Sequence, residues 1–373
     1  MGAVETSPVV AQSALKRVVV VGPSGRSLDR LCGPLIADAI SRGHSVHALT
    51  PDFDERDVMS LGGLGVSIAR VKLRPDKFKL RPGSAVLKML AAQLSEIAPH
   101  VVFAHGAEIL PLAINAAVRA RVARMAVSVS NLDDGKISTP LRRALGRAHV
   151  IVTNTREDHR AVTAAGLLSK GRILLQLPGT GADLAALDKL ALPPLTPSIV
   201  FVFAARLDVA KGALEYCEAA RLLRAEGANA QFILVGEDST GPDAVRQDAL
   251  ARFDHDVTRV KDFNGLLLVL SQAHVFVAPS HQGGMPYGVL QALGGGRPCI
   301  VTDVPGYRET VDEMVNGMIV PPRDVSALVD AFRRFVQRPE LIALMGRAGR
   351  LKAERHFSQA AVNAALLTAL DLQ

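Results

Sequence analysis

The chain has no tryptophan and three tyrosines, and aromatic residues make up 4% of its 373 positions. So sparse a supply argues against a surface on which nucleic-acid bases or sugar rings would stack, because such platforms are built from aromatic faces. Cysteine is just as scarce. Cys32, Cys217 and Cys299 lie far apart, their odd number cannot close a disulfide framework, and no Cys-x-x-Cys pair offers metal or redox chemistry. A reducing, cytoplasmic setting is expected. No apolar run approaches the roughly 18–20 residues needed to span a bilayer. The richest runs, Val18–Val21, Ile199–Ala205 and Val275–Ala278, have the length of buried strands. Residues 1–15 lack a basic start and a continuous apolar core, so they read as an N-terminal extension and not as a secretory signal.

What is present is apolar material: 49% of residues are hydrophobic and 21% charged, enough for packed cores and, at this length, for two domains. Charge is unevenly spread. Residues 1–190 hold 25 Lys and Arg against 16 Asp and Glu, whereas the remainder holds 18 against 20. A basic excess confined to one half points to an anionic partner there. A membrane surface or a phosphorylated acceptor is expected, and nucleic acid is not. The run Lys72, Arg74, Lys77, Lys79, Arg81 and Lys88, interleaved with Leu73, Phe78 and Leu80, suits peripheral contact with an anionic membrane at its cytoplasmic face.

Two successive patterns of strand and helix follow. In the first, strand Val18–Val21 leads through the turn Gly22-Pro23-Ser24-Gly25 into a helix with Leu28, Leu31, Leu35, Ile36, Ala39 and Ile40 at a 3.6-residue period. Apolar strands and helical stretches then alternate as far as Ile173–Leu177, which implies a parallel sheet covered on both faces. The Pro-rich stretch 192–197 reads as a linker, after which the pattern restarts at Ile199–Phe203. The expected organisation is an extension over 1–15, a Rossmann-like domain over 16–191, the linker 192–197, a second Rossmann-like domain over 198–356, and a C-terminal helix over 357–373 placed to pack back on the first domain. Ligands of open α/β sheets bind beyond the carboxyl ends of the strands, so the cleft between the domains is the expected site.

Two features of the second half carry chemistry. Arg206 and Lys211 lie just past its first strand, where a basic pair can hold a diphosphate by charge-assisted hydrogen bonds. The segment Pro279-Ser-His-Gln-Gly-Gly-Met-Pro-Tyr-Gly-Val-Leu-Gln291 runs from a buried strand into a short helix. Its glycines permit close backbone approach, and its helix start offers unpaired N–H groups to negative charge. Asp52-Phe53-Asp54 spells an Asp-x-Asp, but it sits in an acidic loop and reads as solvated surface, so no metal site is expected.

This segment, with Ile300-Val-Thr-Asp-Val-Pro-Gly306, Asn316-Gly317 and Val235-Gly236-Glu237, resembles the donor-binding region of family 4 glycosyltransferases. These are retaining enzymes of the two-Rossmann-domain (GT-B) architecture. The resemblance is strong in the second domain and looser in the first, where the Gly22–Gly25 turn and Leu177-Pro-Gly-Thr-Gly181 are consistent with it. It implies a sugar transferred from a nucleotide-diphospho-sugar to a saccharide acceptor; the basic first domain favours an acceptor that is lipid-linked, as on a polyprenyl diphosphate, in cell-envelope or exopolysaccharide assembly. Neither cofactor nor metal is required. Arg206 and Lys211 would neutralise the leaving diphosphate. Gly236, Gly283, Gly284, Met285, Pro286, Tyr287, Gly288, Val289, Leu290 and Gln291 would bind the donor, and Gly22, Gly25 and His105 would lie on the acceptor side. The family's Glu-x7-Glu pair is replaced here by Gly283 and Gln291. That replacement motivates a rival reading, a non-catalytic relative that binds a nucleotide sugar or a protein partner.

Overall fold

The computed structural model describes residues 15–71, 85–130, 132, 136–195, 198–236, 242–261 and 265–373. Most of the basic run (Lys72 to Arg81), Glu237 and the linker's Thr196 and Pro197 lie outside the described residues. Seven parallel strands form the first sheet: β1 (Arg17–Val21), β2 (Ser45–Thr50), β3 (Ser67–Arg70), β4 (Val101–His105), β5 (Arg124–Val129), β6 (Val150–Thr153) and β7 (Ile173–Gln176), in the order β3-β2-β1-β4-β5-β6-β7. Six form the second: β8 (Ile199–Ala204), β9 (Ala230–Val235), β10 (Thr258–Val260), β11 (Val275–Ala278), β12 (Cys299–Thr302) and β13 (Gly317–Val320), in the order β10-β9-β8-β11-β12-β13. These two doubly wound sheets are the GT-B architecture.

The all-apolar strands follow from burial on both faces. In β1, Val19 and Val21 enter one core layer and Val18 and Val20 the other, because successive side chains of a strand alternate in direction. The scarce aromatics are pooled in the second domain. Phe201 stacks on Phe232 at 5.2 Å and meets Phe332 at 4.7 Å between ring centroids, an arrangement that adds about 0.5–1.5 kcal/mol per pair beyond area burial. Strand order reverses between β1 and β4 and between β8 and β11, and at those two points the sheets open toward each other.

The passage from first to second domain comes earlier than the expected boundary at 191. Ala182 and Leu187 are buried among Leu290, Leu293 and Phe357 of the second domain, so the crossing lies at Gly181–Ala182, and the Pro193 and Pro194 carbonyls face His274 of that same domain. The chain crosses back beside it: Ala182 donates to the Phe357 carbonyl at 2.6 Å and Gln359 donates to the Ala182 carbonyl at 3.0 Å. Helix Gln359–Leu370 then buries Val362, Leu366, Leu367 and Leu370 against Leu28, Ile36 and Val46 of the first domain. Among the described residues no helix is long and apolar enough to cross a membrane.

Candidate functional site

One cleft runs between the domains as four connected spaces. The central one, about 520 Å³, is floored by Ala204–Arg206, Lys211 and the Met285–Val289 segment, and roofed by Pro23, Ser24, Arg26, Ser27 and Arg30 of the first domain. Arg26, Arg30 and Arg206 also line an adjoining space of about 230 Å³ that reaches Gly236 and Asp54. On the other side, Leu31, Met285 and Tyr287 lead into a neck of about 130 Å³ lined by His105, Ser130, Asn154, Thr180 and Gly283. Asn154 and Met285 also line the fourth space, a groove of about 640 Å³.

The second domain supplies a wall carrying Arg206 and Lys211. Chain reversal at Val209–Lys211 is a 3-10 turn followed by Gly212 at φ +78°, where any side chain would run into the Pro279 carbonyl. That close approach lets Ser280 Oγ, at 3.1 Å, and the His281 amide, at 2.8 Å, both donate to the Ala210 carbonyl, which fixes Lys211 at the edge of the cleft. Arg206 is held by Asp208 at 2.8 Å yet keeps a largely exposed guanidinium. Helix Tyr287–Gly294 has no side-chain cap, so its first amides are open to an acceptor in the central space. Gly288 permits this helix to sit on the ring of Phe276, whose Cζ would be 2.8 Å from a Cβ there.

The first domain contributes two arginines that sequence reasoning missed. Helix Gly25–Ser41 starts at the cleft with Ser24 as its cap and no acidic residue in its first turn. Arg26 and Arg30, one turn apart, stand on its cleft face. The Arg30 guanidinium lies 5.8 Å from the centroid of the Tyr287 ring, a cation–π contact between the two domains. The available signal was Arg26 in a first helical turn, where the macrodipole favours acids, with Arg30 one turn on along the same face. With Arg206 and Lys211 they give the central space four cations against one acid, Glu108, among the described residues.

The remaining candidates divide. Gly22 and Gly25 shape the turn into that helix: a side chain at Gly22 would meet Leu28, and one at Gly25 would meet Phe53 and Asp57. Asp54 of the Asp-x-Asp caps helix Glu55–Gly63 reciprocally with Asp57, and its side chain accepts from the Asp57 amide at 2.7 Å. Among the described residues no three His, Cys, Asp or Glu side chains gather as a metal site. His105 is buried in the neck, and burial pushes its imidazole down to about 4, so it is neutral at neutral pH. Thr180 Oγ1 is buried beside it and finds no hydrogen-bond partner among the described residues. Leu290 reaches the neck. Gln291 does not face the cleft: its amide donates to the Gly181 carbonyl at 3.0 Å and accepts from the Asp183 amide at 3.2 Å, tying its helix to the interdomain crossing.

Residues 198–338 match the family model described as "Glycosyl transferases group 1", so the second domain carries that family's pattern. The D-inositol 3-phosphate glycosyltransferase of Saccharomonospora viridis is 28% identical over 260 residues, covering 63% of this chain and 60% of that protein. The UDP-Gal:alpha-D-GlcNAc-diphosphoundecaprenol alpha-1,3-galactosyltransferase of Escherichia coli is 26% identical over 169 residues, covering 43% of this chain and 42% of its own. The chain thus spans about half the length of the curated relatives it matches. Among solved structures, Anabaena HepE in complex with UDP-glucose superposes with a TM-score of 0.75 at 15% identity, covering 96% of this chain and all of that one.

Proposed function

We propose that this protein is a retaining glycosyltransferase that moves a sugar from a nucleotide-diphospho-sugar to a saccharide acceptor in glycan or polysaccharide assembly. The observation that carries the reading is the convergence of Arg206, Lys211 and the uncapped Tyr287–Gly294 helix start on one cavity between two Rossmann-like domains. The group 1 pattern over that same domain supports it, as does the UDP-glucose bound by a structural neighbour. The diphosphate lies against Arg206 and Lys211, with the helix amides taking part of its charge. The bond between the anomeric carbon and the diphosphate oxygen breaks as an acceptor hydroxyl adds from the same face. The hydroxyl proton passes to that departing oxygen, so no protein nucleophile is consumed. Charge grows on the leaving group in the transition state, and each well-aimed donor to it is worth about 3 kcal/mol.

The acceptor we favour is borne on a polyprenyl diphosphate, in keeping with the basic first half of the chain and with the lipid-linked substrate in the name of one relative. Contact with the cytoplasmic face of a membrane belongs to the same proposal. The first experiment is thermal shift with UDP, GDP, ADP and their sugars, beside an Arg206→Ala/Lys211→Ala variant. A ligand at a hundred times its Kd stabilises by about 2.7 kcal/mol, several degrees for a domain of this size. A shift with one nucleotide that disappears in the variant supports the donor site, and no shift with any of them defeats the proposal.

The orientation of Gln291 and the missing side chain at Gly283 favour one alternative, a protein that binds the nucleotide sugar without transferring it. Binding without any release of free nucleoside diphosphate, across lipid-linked and soluble saccharide acceptors, would select that alternative.

A further inference from the structure

The groove beyond the neck is larger than the central space, and nothing in the donor chemistry uses it. It opens between Arg156 and Pro178 of the first domain and the Arg308–Val315 and Ala348–Phe357 segments of the second. Among the described residues four cations line it, Arg156, Arg308, Lys352 and Arg355, against two acids, Glu309 and Asp312. The acids tie down two of the cations: Lys352 lies 2.8 Å from Asp312 and Arg156 lies 3.8 Å from Glu309. Arg308 leans on Asp303 at 2.9 Å and lies 3.9 Å from Glu157, neither of which lines the groove. Arg355 is exposed on the rim.

The lip of this groove is apolar where solvent would ordinarily call for polar residues. Leu344, Ala348, Leu351 and Arg355 fall on one face of helix Glu340–His356, at spacings of four, three and four residues. Leu344 is 56% exposed, Leu351 52% and the neighbouring Val315 54%. Leu351 and Val315 line the groove itself, so the apolar surface runs without a break into a cationic hollow. At the inner end, the neck presents neutral His105 and the buried Thr180 Oγ1, which has no partner among the described residues, to whatever enters. It stays open at Gly283, where even a Cβ would stand 3.1 Å from Pro305.

We propose that this groove is the acceptor entrance and that its occupant is a lipid-borne saccharide diphosphate. The apolar chain lies along Leu344, Leu351 and Val315, the diphosphate rests among Arg308, Lys352 and Arg355, and the terminal sugar extends through the neck toward the donor. A water-soluble sugar phosphate would use the cations and leave the leucines idle. A purely apolar ligand would leave Arg355, which no acid among the described residues pairs, without a counter-charge. Only an amphiphile satisfies both. This inference rests on the transferase reading above for its direction, but the binding itself does not depend on catalysis.

Farnesyl diphosphate is the probe, titrated by calorimetry with saturating UDP present so that the donor site is filled, with inorganic diphosphate and farnesol as separate arms. The expected result is that farnesyl diphosphate binds at least tenfold more tightly than either fragment. Leu344→Glu/Leu351→Glu should weaken it tenfold or more, as should Arg355→Glu alone, with melting temperatures unchanged. Met59→Glu, at an exposed apolar residue elsewhere, should leave it alone. Equal affinity in wild type and groove variants overturns the proposal, as does inorganic diphosphate binding as tightly as the farnesyl ester. So does a change of oligomeric state in Leu344→Glu/Leu351→Glu without a change in affinity, which would assign the face to a second copy of the chain. If UDP fails to bind, the transferase reading falls while the groove comparison is still read without it.

Discussion

His105 should make the protein acid-sensitive in a calculable way. Its imidazole is buried in the neck, and desolvation lowers it from the ordinary 6.5 to about 4. A histidine lowered on folding is bound to its proton more weakly in the folded state than in the unfolded one. Its contribution to stability is therefore complete above pH 6.5 and is lost as the pH falls toward 4. With those two values, linkage gives a loss of about 2 kcal/mol by pH 5 and about 3 kcal/mol once the pH is below both. The clean comparison is wild type against His105→Asn, unfolded by urea at pH 7.5 and at pH 5.0, because other titrating groups cancel between the two proteins. The stability difference between them should shift by about 2 kcal/mol in the variant's favour at the lower pH. In parallel, the His105 Cε1–H resonance should titrate near pH 4. If the stability difference is the same at both pH values, or the resonance titrates near 6.5, the ring is solvated and the account of the neck as a dry, neutral hydrogen-bonding site is wrong. Under that account the pH profile of kcat/KM has no inflection between 6 and 7 arising from His105.

Other consequences are as direct. Gly212→Ala combines a left-handed φ with a collision against the Pro279 carbonyl, so denaturation should show a loss above about 2 kcal/mol, whereas Gly166→Ala, also at positive φ but facing open space, should lose about 1 kcal/mol. Gln291→Ala strands two buried backbone groups at the interdomain crossing and should cost roughly 1–3 kcal/mol per group, read by chemical denaturation, with little change in nucleotide affinity. Glu309 is raised above the ordinary carboxylate value, first by burial and further by Glu157 beside it. A raised acid stabilises the folded state below its unfolded value and is a growing cost as the pH rises through its folded value. Glu309→Gln should therefore raise the melting temperature at pH 8 more than at pH 4. Arg30→Ala removes the guanidinium from the Tyr287 ring and should loosen the contact between the domains, seen as faster proteolysis near residues 181–182 with the melting temperature of each domain preserved.

The fold was legible because doubly wound sheets bury both faces of each strand, so Val18–Val21 and Val275–Ala278 announce themselves as short unbroken apolar runs. Arg206 and Lys211 were legible for a related reason. Their place beyond a strand's carboxyl end puts them at the cleft whatever their side chains do locally. Arg26 and Arg30 were not, since nothing in a helix of one domain states which residues of the other it will face. Gln291 marks a different limit. A side chain one turn into a helix can serve the ligand or the backbone behind it, and a shift of one rotamer decides between them. Proline marks where a chain cannot be regular, but which core Ala182 and Leu187 fill is decided by tertiary packing that no local pattern states.

The return of the chain across the crossing at Phe357 has a bearing on how the protein is made. The first domain's apolar layer is closed by residues 359–370, so this domain completes its core only after the whole of the second domain has been made. Until then Leu28, Ile36 and Val46 present an open face on a nascent chain that has already finished its own sheet. A domain built in this order gains from a ribosome-bound chaperone over that face, and residues 16–181 produced alone should collect as soluble aggregate unless the missing helix is supplied as a peptide.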